Sequence, residues 1–343
     1  MYEVPSEGFY TTEAVTDHAI AFLKDTVAAS PFFLYLAYNA PHYPLQAREE
    51  DVAEYRGRYL EGWDQLRTDR HRRQLEMGLL PEKWSLSPRP ESALDWATLD
   101  DAARDREDFK MATYAAMVDV LDRNIGRVVD TLRELRQLDD TLILFLSDNG
   151  ACPFDRTRGG DLSPWDPASY WCYHEAWANA CNTPLRLYKQ NQHEGGISTP
   201  LIAHWPAGLK DPGRIDRGVG HLFDIKATLR ELADLPPAPD RGRSFAPILG
   251  GDAPPPETRP LFFQFKKNRA VRDGRWKLVA RHQGTWELYD LEADRTELHD
   301  LARAQPARVV AMARAWYDWA QDVGIGKKTR APLENEPTGI HDE

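Results

Sequence analysis

The sequence predicts an α/β fold, and three observations carry that prediction. Short apolar runs at Phe32–Ala37, "LILFL" at 142–146 and "LIAHW" at 201–205 are too brief for helices and too uniform for half-exposed strands, so they read as buried strands. Amphipathic stretches of helical period lie between them. A Pro/Gly-rich join at 236–260, "PPAPDRGRSFAPILGGDAPPPETRP", then leads into alternating segments around "RDG", a hairpin signal.

Taken in order, "TTEAVTDHAIAFLKDTVAAS" reads as a helix that Thr11 or Thr12 can cap, with Val15, Ala19, Phe22 and Leu23 on one face. The first strand, Phe32–Ala37, follows. Residues 46–107 are charged, with Arg67, Arg70, Arg72 and Arg73 close together, and read as loops and short helices over the surface with solvated arginines. From Phe109 to Leu138 an apolar stripe through Tyr114, Met117, Leu121, Ile125, Val128 and Leu132 marks a long helix leading into the second strand. Residues 153–193 lack periodicity and are rich in Gly, Trp, Tyr and Pro; so long a loop in a compact domain points to function. The third strand and a short helix at 221–234 complete the alternation, which implies a sheet covered on both faces. Beyond the join, Leu261, Phe263, Trp276, Leu278 and Leu288 are expected on a sheet face covered by a terminal helix over 301–319, with Trp316 and Trp319 packed against them.

Composition narrows the function. The 343 residues are 42 % hydrophobic and 28 % charged, a globular balance, and the net charge of −11 argues against a general nucleic-acid binder. An acidic total still admits an anionic substrate, because a metal and a few lysines can invert the field locally. Three cysteines, Cys152, Cys172 and Cys181, give neither a disulfide framework nor a zinc spacing. No apolar stretch reaches membrane-spanning length, so no membrane partner is expected. The amino terminus lacks the marks of a signal peptide; a periplasmic or secreted protein would need a segment upstream of this chain.

In an open α/β sheet, ligands gather beyond the carboxyl ends of the strands. The first strand ends there in Asn39 and His42, between Pro41 and Pro44; the second ends in Asp148, Asn149 and Gly150. The third is preceded by "LYKQNQHEGGIS", where Gly195–Gly196 would turn the backbone sharply and hold Lys189 near the same edge. Asp148 and Asn149 offer hard oxygens suited to Ca²⁺ or, less well, Mg²⁺. Each residue also has a plain structural reading: an Asx turn for Asp148–Asn149, a turn residue for His42, a surface charge for Lys189 and a small buried thiol for Cys152. Spacing alone reaches a hydrolytic α/β enzyme, metal-dependent or not.

Five stretches carry a more specific signal: "YNAPHYPLQA", "YAAMVDVLDRNIGRVVDTL", "ILFLSDNGAC", "NTPLRLYKQNQHEGGISTPLIAHWP" and "RAVRDGRWKLV…WELYDLEADRTELHDLA". In this order they resemble the type I sulfatases, the arylsulfatase family. The resemblance implies an alkaline-phosphatase-like fold, with a mixed, largely parallel sheet sandwiched by helices and a smaller antiparallel-sheet-plus-helix domain. It implies a sulfuric ester hydrolase that uses Ca²⁺ and a formylglycine made from Cys or Ser in C/S-x-P-x-R. Carried over by position, Asp148 and Asn149 match metal ligands, His42 matches the histidine that contacts nucleophile and sulfate, and Lys189 matches the lysine that binds sulfate and assists the leaving oxygen.

The family's formylglycine motif and first metal acids lie before the segment "FYTTEAVTDHAIAF", and nothing in this chain supplies them. "CPFDR" at Cys152 has its proline one place early and follows the second metal pair, so it is not taken as the nucleophile. The expectation is therefore an incomplete fold: 1–237 as a portion of the main α/β domain, 238–326 as a small carboxyl-terminal domain and 327–343 as a polar tail. The substrate would be a sulfated small molecule or carbohydrate, with the pocket shaped by Trp165, Tyr170, Trp171, Tyr173 and His174. Two rivals stand beside this: a phosphatase or phosphonate hydrolase of the same superfamily, and a non-catalytic fragment or pseudoenzyme.

Overall fold

A computed structural model describes residues 8–26, 30–239, 241–252, 259–282 and 284–325. Stretches of the Pro/Gly-rich join and the polar tail from 327 lie outside the described residues. The first helix, α1 (Thr11–Thr26), buries Thr12, Thr16, Ala19 and Leu23, a regular helical face, while Phe22 is exposed. Thr16 is tolerated inside because its hydroxyl meets the Thr12 carbonyl at 2.9 Å and the Tyr38 hydroxyl at 2.8 Å. Helices α2 (Glu49–Ala53) and α3 (Gly62–Glu76) follow, then α4 (Asp101–Glu134), which Asp100 caps by accepting from the Ala103 N–H at 2.8 Å. The stripe read from sequence lands correctly on α4: Met117, Leu121, Val128 and Leu132 are buried.

The strand expected at Phe32–Ala37 does not form among the described residues. The segment is extended and alternates: Phe32, Leu34 and Leu36 pack on Leu23, Val128 and Leu132, whereas Phe33 and Tyr35 are 76 % and 79 % exposed. A run buried on both faces needs cover on both, and here α1 and α4 cover one. The other two strands do form, as β1 (Ile143–Leu146) and, after α5 (Glu175–Cys181) and α6 (Glu194–Ile197), β2 (Leu201–His204). They pair antiparallel, Ile143 opposite His204 through Leu146 opposite Leu201. Neither is buried on both faces, since Phe145, Leu201 and Ile202 are exposed.

Residues 46–107 are not a surface excursion. Trp63 and Val52 belong to the largest core cluster, with Leu45, Met111, Trp171 and Trp177. Arg67 is buried, and its guanidinium donates to the carbonyls of Ser87, Asn179, Pro184 and Leu185. Those carbonyls give the buried charge the polar partners it needs, and they make Arg67 a strut under the segment that leads to Lys189. Trp171 and Tyr173 sit in the same core, and Trp171 also lines a cavity with Phe109, Arg106 and Gly160; Trp165 and Tyr170 are partly exposed.

Past α7 (Leu222–Leu232) and α8 (Ala246–Leu249), a four-stranded antiparallel sheet runs β3 (Leu261–Phe265), β4 (Asn268–Asp273), β5 (Trp276–Ala280) and β6 (Glu287–Asp290) in chain order. The "RDG" hairpin joins β4 to β5 with Gly274 at φ 56°, a left-handed turn that suits glycine. The terminal helix α9 (Pro306–Asp322) covers one face, packing Trp316, Tyr317 and Met312 on Leu278, Leu288 and Trp286, with Trp276, Trp319 and Phe262 at the margin. Phe263, expected on this face, lies on the opposite one with Ala270, Val279 and Tyr289, and Leu261 shares its phase on β3. Phe262 faces the helix instead and stacks on Trp319 at 5.1 Å. A slip of one residue flips every side chain of a strand, and "LFFQF" has apolar residues in both phases, so it conceals the choice.

A buried ionic cluster joins the two halves. Lys277 on β5, fully buried, donates to Glu194 of α6 at 2.7 Å and lies 2.9 Å from Glu297. Arg295 lies 2.6 Å from the other Glu194 oxygen, and Glu297 accepts from the Glu194 backbone N–H at 2.8 Å. Burial opposes ionisation of Glu194, but Arg295, Lys277 and Arg272 outweigh it and hold its carboxyl far below the usual range. Removing Lys277 leaves two buried carboxylates short of a cation. Lys277→Met is expected to lower unfolding stability by about 3–5 kcal/mol, read from the urea midpoint; a change within ~0.5 kcal/mol would show that the cluster is not structural.

Candidate active site

Of the four side chains that the sequence singles out, the structure brings two into contact. His42 Nε2 lies 3.2 Å from Lys189 Nζ, although 147 residues separate them. His42 is exposed on a turn whose His42 N–H donates to the Asn39 carbonyl at 2.8 Å. Its Nδ1 is 2.9 Å from the Tyr43 carbonyl, which can only accept, so that nitrogen carries the proton and Nε2 presents its lone pair to the lysine ammonium.

Asp148 and Asn149 follow β1 after Ser147, and the Asn149 amide donates to the Asp148 carboxylate. This pair reaches the lysine segment through backbone. The Lys189 N–H donates to the Ala151 carbonyl at 2.9 Å, and Gly150 N–H to the Gly196 carbonyl at 3.1 Å. Asn182 completes the tie: its amide donates to the carbonyls of Leu187 and Gly195 at 2.9 and 2.8 Å, and its oxygen accepts from the Ala151 N–H at 3.0 Å. Sequence reasoning misses Asn182, whose only signal is its place at the head of "NTPLRLYKQ".

The glycine pair differs from its expected role. Gly195 and Gly196 do not turn sharply; they lie in α6, with His193 at its N-cap. Their role is close approach. A Cβ on Gly195 would meet the Arg186 and Leu187 carbonyl oxygens at 2.3 and 2.2 Å, and one on Gly196 would meet the Asn191 oxygen at 2.1 Å. A Cβ on Gly150 would sit 1.8 Å from the Gly195 oxygen. Only glycine lets these backbones close around the lysine.

The second sheet grips the same segment from behind. Arg186 donates to the Tyr289 hydroxyl and the Glu297 carbonyl at 2.9 and 2.8 Å, His193 meets Glu287 at 3.1 Å, and Asn268 donates to the Gln190 carbonyl at 2.6 Å. Burial works against the charge on Glu287, but His193, Tyr289 and Arg186 overcome it and bring the carboxyl down to about 2. Cys152 is half-buried rather than enclosed, and its backbone N–H donates to the Tyr173 hydroxyl at 3.3 Å.

Asp148 and Asn149 fit two positions of a calcium shell, one carboxylate and one amide oxygen side by side on an open turn. A calcium shell takes roughly six to eight oxygens, so the pair alone is a partial set. Among the described residues, no three His, Cys, Asp or Glu side chains gather as a metal cluster. No helix there is long and apolar enough to cross a membrane.

An ammonium and an imidazole meet at the surface, on a segment that backbone hydrogen bonds tie to the turn carrying Asp148 and Asn149. Comparison with known proteins agrees in class: the chain belongs to the sulfatase family, whose model matches residues 2–235, and residues 186–314 match the carboxyl-terminal region of N-sulphoglucosamine sulphohydrolase. An uncharacterized sulfatase of Schizosaccharomyces pombe is 32 % identical over 93 % of this chain and 63 % of its own length. An arylsulfatase of Klebsiella aerogenes is 30 % identical over 67 % of this chain and 52 % of its own. The crystal structure of Ps i-CgsB, also solved in complex with k-i-k-neocarrahexaose, superposes with a TM-score of 0.65 at 26 % identity, covering 93 % of this chain and 56 % of that one. The chain thus spans between half and two thirds of the length of these relatives. The α/β class expected from sequence holds, with a sheet-plus-helix unit at the carboxyl end.

The Glu287 contacts make stability pH-dependent. A carboxyl held below its unfolded value, about 4.3, stabilises the fold above that pH, and the gain is lost as pH falls toward the folded value. The denaturation midpoint is therefore expected to drop between about pH 4.3 and the Glu287 value of about 2, and Glu287→Gln should flatten some of that slope. A wild-type and Glu287→Gln pair with parallel pH profiles would overturn this assignment.

Proposed function

We propose that this chain carries the leaving-group side of a sulfate-ester hydrolase, with Lys189 and His42 as the groups that meet the sulfate and the ester oxygen. The observation that carries the reading is the 3.2 Å approach of Lys189 to His42, on a segment whose backbone is bonded to Gly150 and Ala151, next to Asp148 and Asn149. As the S–O bond breaks, its electron pair passes to the ester oxygen. Lys189, a three-donor cation, binds a sulfate oxygen and faces that developing charge. His42, when protonated, can deliver a proton to the alkoxide. The Tyr43 carbonyl orients the ring for this by holding Nδ1.

Calcium, with Asp148 and Asn149 among its ligands, would withdraw charge from the sulfate oxygens. None of the four groups is itself the attacking nucleophile; Lys189 and His42 assist departure, while Asp148 and Asn149 are acceptor ligands. The attacking group is thus expected to be a formylglycine supplied by sequence outside this chain. The substrate class favoured is a sulfated carbohydrate. Ps i-CgsB, a relative with the same fold, has been seen with a neocarrahexaose, and the cavity beside Lys189 is polar.

The test is release of nitrophenol from nitrophenyl sulfate. The chain alone is expected to be inactive, and joining it to the amino-terminal segment of a close sulfatase relative should recover calcium-dependent turnover. In the joined protein, Lys189→Ala should lower kcat by about 10²–10³, and Asp148→Ala should weaken calcium dependence. Turnover that survives both substitutions would place the chemistry elsewhere.

A further inference from the structure

A cavity of about 400 Å³ opens beside Lys189, within the roughly 300–1,000 Å³ range of small-ligand sites. Phe154, Glu175, Lys189 and Asn191 line it. Arg281 and His282, in the connection after β5, line it as well. We infer that this cavity is a subsite for a second anionic group: Arg281, with His282, holds a sulfate or carboxylate on a saccharide whose scissile sulfate lies at Lys189. The inference rests on the reading of Lys189 given above and extends it to the substrate's second charge.

Three observations carry it. First, Arg281 is exposed, and its side chain has no partner among the described residues, whereas Arg275, in the turn at the other end of β5, pairs with Asp290 and Glu292. A planar guanidinium left free in a cavity wall suits bidentate capture of an oxyanion. Second, its backbone is held in place. The His282 N–H donates to Asn268 Oδ1 at 2.7 Å, and the Gly284 N–H donates to the Arg281 carbonyl at 2.9 Å. The same Asn268 donates to the Gln190 carbonyl at 2.6 Å, so one side chain sets the register between Arg281 and Lys189. Gln190 is at φ 76°, a left-handed conformation that a non-glycine residue adopts only under constraint.

Third, the cavity's charge runs against that of the chain. The whole sequence carries −11, yet this cavity joins a lysine, an arginine and a histidine against a single carboxylate. That carboxylate, Glu175, already accepts from the Ser92 hydroxyl at 2.9 Å and can take a sugar hydroxyl with its remaining capacity. Phe154, with the Arg156 guanidinium 5.2 Å from its ring centroid, brings apolar surface to the cavity. A plain aryl sulfate would fill only the Lys189 end.

The test is calorimetric binding to the full chain. The probes are a disaccharide monosulfate, the same disaccharide with a second sulfate, and the monosulfate with a uronate as its second ring. At least one doubly charged probe should bind about tenfold more tightly than the monosulfate, with the margin shrinking as salt rises. Which of the two gains the margin tells sulfate from carboxylate. Arg281→Ala should bring the favoured probe down to the monosulfate's affinity, and Arg281→Lys should restore some of it. Arg281 is exposed, so circular dichroism and melting should match the unsubstituted chain. A margin that survives Arg281→Ala, or no margin in the unsubstituted chain, overturns the subsite. Lys189→Ala separates the two readings: it should weaken all three probes. If it weakens none while the Arg281-dependent margin persists, the leaving-group reading falls and the subsite stands.

Discussion

Lys277 lies fully buried between two carboxylates from different regions of the chain, and the candidate site depends on that placement. A charge taken out of water costs several kcal/mol unless well-aligned opposite charges surround it. Here two cations, Lys277 and Arg295, meet two anions, Glu194 and Glu297, and the Glu194 backbone N–H closes the ring on Glu297. An apolar contact can slide along its surface; this cluster cannot, because each donor has a specific oxygen. It therefore sets the position of α6 against the second sheet to within a hydrogen bond. Lys189 is five residues before Glu194, so the same lock sets where the lysine can reach.

The rest of the site is built from backbone more than from side chains. The turn after β1 and the lysine segment touch through the pairs Gly150–Gly196 and Ala151–Lys189, closer than any Cβ would allow at three glycines. Asn182 bridges the two segments, accepting from the Ala151 N–H and donating to the Leu187 and Gly195 carbonyls. Arg67, deep in the core, has the same role in the layer below, where it gathers carbonyls from the segment that enters the loop. Buried polar groups are costly when half-satisfied, and the hydrogen bonds of Arg67 and Asn182 are directional, so they constrain the loop.

Legibility in the sequence followed the strength of periodicity. The α4 stripe and the "RDG" hairpin were readable because their patterns are long or use a residue with a special conformation. The phase of β3 was not, since Phe262 and Phe263 are equally apolar and only the place of α9 decides between them. Arg67 read as a solvated charge because a cluster of arginines on a polar helix carries no mark of the one that points inward. Phe32–Ala37 read as a buried strand because composition reports how apolar a run is and not how many of its faces are covered.

By itself, the sequence determined the periodic helices α1, α4, α7 and α9, the β4–β5 hairpin and, through five stretches specific in order and residue type, the family. It also singled out His42, Lys189, Asp148 and Asn149 as chemically apt residues. Only the tertiary structure decided that His42 and Lys189 meet, and that Arg281 from the second sheet shares a cavity with Lys189. The reason is physical. Periodicity and turn chemistry are local and are written in neighbouring residues. A contact across 147 residues is the outcome of every packing choice between them, including a buried ion cluster whose members, taken singly, look like surface charges.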